Sequence, residues 1–318
     1  MKRSGTGIFL ITAYLLLICI LNIVSCSCST DKNKSSGTAK DPLSESETNR
    51  IPGYTFSAPD ERIILPPVLH EISGIALISS TSVACVQDEV GVIFIYDLQK
   101  KDITRQIYFN GDGDYEGITS VNDEIYVLRS DGTLFEKKDP ENSAPGRYIP
   151  LKKIPYNEFE GLCYDQKNKR LLIAPKDKPD EDSDSKNKRE IYGYDPWKGI
   201  LNNTPAITID IKKIKKFAAA KRITDQSKDK KDDDFDIKFN PSAIGIHPVT
   251  GKLFVLTAST PMIFVFDING TVEHVIKLDP EIYNMPEGIT FFKNGDMLIS
   301  NEGQNGPATI LRLNFNPI

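Results

Sequence analysis

Four glutamates occur at matching places in the sequence. A short phrase that ends in glycine and an aliphatic residue is repeated five times, and four of its copies carry a glutamate: Glu71, Glu116, Glu160 and Glu287. In the remaining copy Ser242 takes this place, three residues before Gly245, as Glu71 is three residues before Gly74. Carboxylates that are brought close together repel one another, so either their pKa values rise or a cation lies among them. Oxygen ligands in a flexible ring suit Ca²⁺ better than Mg²⁺ or Zn²⁺.

A second interpretation of the repeated phrase is structural. Each glutamate could instead cap backbone N–H groups where a strand begins, or belong to a hydrated network, and we favour the shared metal. The glycine itself is expected to be structural, because glycine allows close approach of another backbone or a positive φ. The three histidines, His70, His247 and His274, do not group with the glutamates as a set, which disfavours zinc.

The spacing of the phrase defines a repeat. Its glycines are Gly74, Gly117, Gly161, Gly245 and Gly288, so successive spacings are 43, 44, 84 and 43 residues. Each glycine is followed by short apolar or alternating runs separated by turn residues, and in the first repeat these cover 72–78, 82–86, 92–97 and 103–109. Four short strands in each repeat indicate an all-β fold, a β-propeller with five four-stranded blades. Six blades are the alternative, because the 84-residue spacing could hold another.

The long spacing is better explained by an insertion. Residues 160–210 already supply four strand-like runs, and the stretch around 211–238 then begins with an amphipathic run. Its apolar residues recur at helical spacing, which predicts a short helix with four outward lysines, Lys212, Lys213, Lys215 and Lys216. Ring closure is expected to pair the strand 55–65 with the last strand near 308–315, since an open propeller would leave exposed edges.

The propeller geometry predicts where the glutamates meet. The first strand of each blade lines the central channel, so residues at its start surround one mouth of the channel. The second strand returns to that mouth at polar residues, among them Asp88, Asp177 and Glu302. Arg129 and Lys176 are the candidate counter-charges. A protein or small-molecule ligand is therefore expected on this acidic face.

The N-terminus has the pattern of a targeting segment. Lys2 and Arg3 precede an apolar run from Ile8 to Val24, and the following Cys26 completes a sequence that resembles the bacterial lipobox. We expect residues 1–25 to be a lipoprotein signal peptide, Cys26 to carry the lipid anchor, 26–50 to be a flexible tether and 51–318 to form the propeller. The alternative is an uncleaved transmembrane anchor. The expected location is the cell envelope, on the outer membrane, facing the periplasm or the surface.

The net charge of the chain argues against one class of partner. The 318 residues contain 39 Lys and Arg against 44 Asp and Glu, a net charge of −5, so nucleic acid is not an expected partner. Cys85 and Cys163 lie in strand-like runs and are expected to be buried thiols. Trp197 follows Asp195 and Pro196 at an expected turn, where we predict that it packs rather than offers a stacking surface.

Five phrases in order carry a family resemblance. They are Glu71-Ile-Ser-Gly-Ile, Asp114-Tyr-Glu-Gly-Ile, Glu160-Gly-Leu-Cys-Tyr-Asp, Pro241-Ser-Ala-Ile-Gly-Ile-His-Pro and Pro286-Glu-Gly-Ile. The chain from about residue 54 onwards resembles the SdiA-regulated family of exported bacterial β-propellers. The resemblance implies a propeller distantly related to NHL-repeat proteins, with calcium bound in the central region and no established reaction. By matching position it implies metal ligation by Glu116, Glu160 and Glu287, with Glu71 separated from its glycine by two residues.

Two functions from different classes follow. The first is an envelope-anchored lipoprotein that binds Ca²⁺ at the acidic mouth and serves as a binding or scaffold module without catalysis. The second is a Ca²⁺-dependent hydrolase, phytase-like or lactonase-like, acting at the same mouth. The sequence favours the first, because it offers no nucleophile–base motif and few basic residues near the mouth.

Overall fold

The computed structural model describes residues 50–140, 142, 144–151, 154–177, 187–223 and 237–317. The chain divides into two compact units, Met1–Leu43 and Ser44–Ile318, and every described residue belongs to the second. The expected signal peptide, the anchor Cys26 and the tether up to residue 49 lie outside the described residues. In the part of the chain that is described, no helix is long and apolar enough to cross a membrane.

Five antiparallel sheets follow one another along the chain. The strands of blade 1 are β2 (Ile72–Leu77), β3 (Ser82–Gln87), β4 (Val92–Asp97) and β5 (Asp102–Tyr108). Those of blade 2 are β6 (Tyr115–Val121), β7 (Glu124–Arg129), β8 (Thr133–Lys137) and β9 (Arg147–Pro150). Those of blade 3 are β10 (Phe159–Asp165), β11 (Arg170–Pro175), β12 (Lys188–Asp195), β13 (Ile200–Leu201) and β14 (Ile207–Asp210).

Blades 4 and 5 complete the ring. Blade 4 consists of β15 (Ala243–Ile246), β16 (Leu253–Thr257), β17 (Met262–Phe266) and β18 (Val272–Lys277). Blade 5 consists of β19 (Pro286–Phe291), β20 (Met297–Asn301), β21 (Thr309–Leu313) and, from the other end of the domain, β1 (Glu61–Ile64). Each of the inner strands β2, β6, β10, β15 and β19 contacts the next, and β19 contacts β2. The predicted five-bladed β-propeller is therefore confirmed.

The apolar core lies between the blades. Five clusters of buried side chains are present, and each combines residues from two neighbouring blades. Phe109 and Ala84 of blade 1, for example, share a cluster with Tyr115 and Phe135 of blade 2. Removing these side chains from water is the dominant favourable contribution to folding, so each blade is stabilised mainly by its neighbours.

Ring closure follows the prediction with a shorter strand than expected. β1 pairs antiparallel with β21, with Ile63 opposite Ile310 and Ile64 opposite Thr309. Ile63 is 2% exposed and Ile64 is 63% exposed, the alternation of a strand with one buried face. Pairing the two ends of the chain removes the free edges that an open ring would have.

The long spacing between the third and fourth phrases holds one blade and an insertion, so the six-blade alternative is wrong. In blade 3 the outer strand β14 pairs with β12 and leads directly into helix α1 (Ile211–Ala220). The Asp210 carboxylate caps this helix by accepting hydrogen bonds from the backbone N–H of Lys212 and Lys213. The predicted helix is confirmed, whereas residues 224–236 of the insertion lie outside the described part.

Cys85 and Cys163 are buried free thiols, as expected.

Candidate functional site

A β-bulge marks the start of the inner strand in four blades. In β2, β6, β10 and β19 the pairing with the second strand shifts at one residue, which is Ser73, Glu116, Glu160 or Glu287 respectively. A bulged residue is left out of the regular pairing, and bulges often re-aim a side chain next to a site. Each of the three glutamates therefore lies outside the regular pairing of its strand, at the mouth of the channel.

The bulges correct the alignment of the repeated phrase. Blade 1 places Ser73, not Glu71, immediately before its glycine. In blade 4 Ser242 and Ala243 line the channel, so Ala243 takes the place that the sequence assigned to Gly245. The ring position is thus occupied, in blade order, by Ser73, Glu116, Glu160, Ser242 and Glu287.

Three of the four expected glutamates share a small central cavity. Its volume is about 10 Å³, at the lower limit of what holds a single water molecule. The polar side chains that line it are those of Glu116, Glu160, Ser242 and Glu287, and aliphatic residues and glycines of the inner strands line the remainder. The Ser242 hydroxyl donates a hydrogen bond to the Pro286 carbonyl at 2.7 Å, which ties blade 4 to the backbone beside Glu287.

Glu71 lies outside this cavity. Its Oε1 is hydrogen-bonded to His70 Nδ1 at 2.6 Å, and its side chain is 38% exposed. It belongs to an outer group of carboxyls: burial and the charges of Glu71 and Glu89 raise the pKa of Asp88. Burial and the charges of Glu71 and Asp88 likewise raise the pKa of Glu302. The mouth therefore has an inner set of three glutamates and a separate outer acidic set.

One lysine accompanies the inner set. Lys176 follows β11, and its Nζ forms an ion pair with Glu160. Burial opposes the charge on Lys176, but the contact with Glu160 and the attraction of Glu116 and Glu287 raise its pKa. Lys176 is thus the counter-charge that the sequence suggested.

Arg129, the other candidate counter-charge, is engaged elsewhere. Its Nε and Nη2 donate to the two carboxylate oxygens of Asp131 at 3.0 and 2.7 Å. Its guanidinium carbon lies 5.4 Å from the ring centroid of Phe135. Asp131 therefore neutralises Arg129 locally, and the described basic residue that pairs with an inner glutamate is Lys176.

If all three were ionised, the inner glutamates would carry more negative charge than Lys176 compensates. Burial, with the charges of Glu160 and Asp114, raises the pKa of Glu116 to about 9. Burial raises the pKa of Glu160 to about 7, although Lys176 lowers it. Burial, with the charges of Glu160, Glu302 and Glu116, raises the pKa of Glu287 well above its usual range. Three carboxylates thus share one ammonium.

Glycines hold the glutamates close to one another. A Cβ atom on Gly117 would lie 2.8 Å from the Glu160 carbonyl oxygen and 2.7 Å from Leu162 Cβ. A Cβ atom on Gly74 would lie 2.8 Å from the Glu116 carbonyl oxygen. Both distances are below ordinary van der Waals contact, so only glycine lets the inner strand of the next blade approach this closely. The structural role expected for these glycines is confirmed.

The donor chemistry of the inner set fits Ca²⁺. Its ligand atoms would be carboxylate oxygens, which this hard cation prefers, and a cation among them would offset the repulsion that raises their pKa values. As the side chains stand, no three His, Cys, Asp or Glu residues of the described ranges are arranged to hold a metal ion. The cation that Glu160 contacts here is the Lys176 ammonium.

Comparisons with known proteins identify the fold. No protein-family model matches the chain, and no curated protein matches it. Among solved structures it is similar to the glutaminyl cyclase of Myxococcus xanthus, with 13% identity and a TM-score of 0.53 over 81% of this chain and 97% of that one. A streptogramin B lyase matches with 15% identity and a TM-score of 0.42, over 79% of this chain and 67% of that one. The glutaminyl cyclase is a β-propeller-type protein, and an identity this low shows a shared fold alone.

Proposed function

We propose that this protein is an envelope-anchored lipoprotein β-propeller that binds Ca²⁺ at the channel mouth and acts as a binding or scaffold module. The observation that carries the proposal is the convergence of Glu116, Glu160 and Glu287 on one cavity with Lys176 as their ion-pair partner. The resemblance of the repeated phrases to the SdiA-regulated family of exported bacterial β-propellers supports it.

In this proposal the three glutamates hold the ion, and each comes from a different blade. A bound Ca²⁺ would supply the positive charge that the inner set lacks and would favour the ionised form of all three carboxylates. Because the ion would bind the folded ring and not the unfolded chain, it would stabilise the fold by mass action. Lys176 would then share Glu160 with the ion or withdraw toward solvent, where its side chain is already 44% exposed.

The test is metal content and thermal melting of the full chain purified without chelator, then with EGTA, then with Ca²⁺ restored. We expect one Ca²⁺ for each chain and a melting temperature that falls and recovers. At a free Ca²⁺ concentration of about 100 times Kd the ion should add about 2.7 kcal/mol to the free energy of unfolding. An absence of metal together with an unchanged melting temperature would refute the site.

Glutamine variants locate the ion. Glu160→Gln and Glu287→Gln should each abolish the Ca²⁺-dependent rise in melting temperature, because each removes a carboxylate that lines the cavity. Glu71→Gln is the matched control: this glutamate lies at the same mouth but pairs with His70, so the Ca²⁺ effect should persist. Loss of the effect in Glu71→Gln with retention in Glu287→Gln would place the ion in the outer acidic set instead.

The alternative function is a Ca²⁺-dependent hydrolase acting at the same mouth. A phosphate-binding hydrolase needs basic residues that converge on the ligand, whereas Arg129 is neutralised by Asp131 and Lys176 is paired with Glu160. These ion pairs favour the binding module. Turnover of phosphate monoesters or lactones that requires Ca²⁺ and is lost in Glu287→Gln would favour the hydrolase instead.

The anchor is a separate part of the proposal and rests on the lipobox-like sequence before Cys26. Cells grown with a labelled fatty acid should incorporate the label into the wild-type chain and not into Cys26→Ala. The labelled chain should fractionate with the outer membrane. Label that persists in Cys26→Ala would contradict the assignment of the anchor to this cysteine.

A further inference from the structure

A groove between blades 2 and 3 lies at the far end of the channel from the glutamates. β6 begins beside Glu116 at the mouth and ends at Val121, so the turn that follows it belongs to the opposite face of the propeller. The groove has a volume of about 410 Å³, within the range of small-ligand sites. Its polar side chains come from Asn122, Asp123, Glu124 and Lys138, and Trp197 contributes the aromatic surface.

Trp197 is more exposed than the sequence suggested. We expected it to pack at a turn; it does lie at a turn, but 55% of its surface is accessible. Its only ring neighbour in the described chain is Tyr164, at 6.1 Å between centroids and 55° between planes. Trp197 therefore packs against Tyr164 and leaves much of its indole accessible to a ligand in the groove.

The turn itself does not require tryptophan. Asp195 Oδ1 accepts hydrogen bonds from the backbone N–H of Trp197 and Lys198 at 3.0 and 2.9 Å. Blade 1 builds the same turn, in which Asp97 Oδ1 accepts hydrogen bonds from the N–H of Gln99 and Lys100, both at 2.9 Å. Gln99 therefore occupies in blade 1 the place that Trp197 occupies in blade 3. Because a polar residue builds the same turn in blade 1, the turn geometry does not account for a tryptophan at position 197.

The polar side chains around the groove offer both hydrogen-bond acceptors and donors. Glu124 is fixed because its Oε2 accepts a hydrogen bond from the Tyr126 hydroxyl at 2.9 Å. Asp123 and Asn122 are exposed at the turn between β6 and β7. Lys138 follows the last residue of β8 and supplies a donor, and its Nζ lies 3.9 Å from Glu136 Oε1. Carboxylate acceptors, an amide and an ammonium donor in one groove with an aromatic surface fit a ligand whose hydroxyl groups both donate and accept.

We propose that this groove binds a saccharide, with a pyranose ring stacked on the Trp197 indole. The C–H groups of one sugar face would contact the indole, and the hydroxyl groups at the ring edge would donate to Asp123 and Glu124 and accept from Lys138. A cationic ligand would also be attracted to an indole and two carboxylates, but the Lys138 ammonium in the same groove opposes it. The volume accommodates one or two sugar rings. The site is independent of the proposed Ca²⁺ site, which lies at the other end of the channel.

The chain carries its own reporter for this site, since Trp197 is its only tryptophan. Full chain in a detergent without a sugar headgroup is titrated with hexoses, N-acetylhexosamines and short oligosaccharides while tryptophan emission is followed. At least one saccharide should shift or quench the emission with a saturable dependence on concentration. Arginine and choline are titrated in parallel. No response to any saccharide would overturn the assignment, and a response to arginine or choline alone would assign the groove to a cationic ligand instead.

Two variants decide whether the response arises from the groove, with calorimetry as the common readout. Trp197→Gln introduces the residue that blade 1 has in the same turn, and it should weaken saccharide binding about tenfold or more while melting is unchanged. Tyr148→Gln is the matched control, because Tyr148 is also 55% exposed in the neighbouring blade but does not line the groove. Equal binding by Trp197→Gln and the wild type, or equal losses in both variants, would refute the proposal.

Discussion

The three buried glutamates make the stability of the protein depend on pH. Unfolded glutamates lose their protons near their ordinary pKa of about 4.3. In the fold the pKa is about 7 for Glu160 and about 9 for Glu116, so the folded chain keeps protons that the unfolded chain has already released. Stability therefore falls as pH rises, until the pH passes the folded pKa of each group.

A histidine has the opposite effect in the acid range. Burial lowers the pKa of His247 to about 4, where its Nε2 is hydrogen-bonded to the Tyr54 hydroxyl at 2.8 Å. Between that pKa and its ordinary value of about 6.5 the unfolded chain binds the additional proton, so stability falls as pH decreases. Above about pH 7 this histidine contributes no further change. The fall in stability there comes from the glutamates and, as the pH approaches the ordinary thiol pKa of about 8.5, from the buried thiols of Cys85 and Cys163, whose pKa values burial also raises.

We predict that the free energy of unfolding in EGTA decreases from about pH 7 to about pH 9, because Glu116 holds its proton across this range. The slope for each retained proton is at most about 1.4 kcal/mol per pH unit. Urea titrations at several pH values measure it. Glu116→Gln should make the slope shallower by the contribution of one proton, since its amide does not titrate, and the part that remains comes from Glu287 and the buried thiols. A free energy of unfolding that rises with pH in the wild type would contradict the assignment.

At the residue scale, the sequence identified three of the glutamates that line the cavity, but it assigned the wrong residue to the equivalent position in blade 1. Glu116, Glu160 and Glu287 could be recognised because each immediately precedes its glycine. Glu71 does not, and the bulge places Ser73 at the equivalent position instead. Whether Glu71 or Ser73 occupies this position depends on the pairing between β2 and β3, and the spacing of the repeated phrase gives no information about that pairing. Exposure of Trp197 was missed for the same reason, because it depends on the neighbouring blade.

At the element scale, the inner strands depend on how closely they approach one another. Strand positions could be predicted from alternating apolar residues and turn residues, as β3, β4 and the closing pair show. Blade 4 departs from the phrase, because its pairing through β15 has no bulge and Ala243 stands where the other blades have glycine. A single methyl group is thus tolerated at one place in the ring.

We predict that Gly117→Ala destabilises the fold by about 1 to 3 kcal/mol, because the added methyl group would meet Leu162 and the Glu160 carbonyl. Urea denaturation measures the loss. Gly111→Ala is the control in the adjoining loop: a Cβ atom there meets no other atom within 4 Å, so its effect should be small. Equal effects of the two substitutions would show that the close approach at Gly117 is not a constraint. Ca²⁺ binding should also weaken in Gly117→Ala alone, since the clash displaces the strand that carries Glu160.

At the scale of the whole molecule, the propeller is a ring of five inter-blade cores. Each core needs both of its blades, so the molecule has no blade that is stable by itself. The core between blades 5 and 1 is completed by β1, which crosses the gap between the two ends of the domain and contributes Ile63. The repeat length predicted the ring and the number of blades, because any four-strand repeat of this size must bury its faces against neighbours.

The closing strand offers a test of this dependence with two adjacent residues. Ile63→Ala should lower the free energy of unfolding by about 2 to 5 kcal/mol, because it opens a cavity in the core that joins the first and last blades. Ile64→Ala removes the same atoms from the exposed face of the same strand and should cost less than about 0.5 kcal/mol. Urea denaturation of both variants compares them directly. If the ring behaves as one cooperative unit, Ile63→Ala should shift a single transition without changing its slope. A separate early transition, or equal losses in the two variants, would instead mean that the remaining blades hold together without the closing strand.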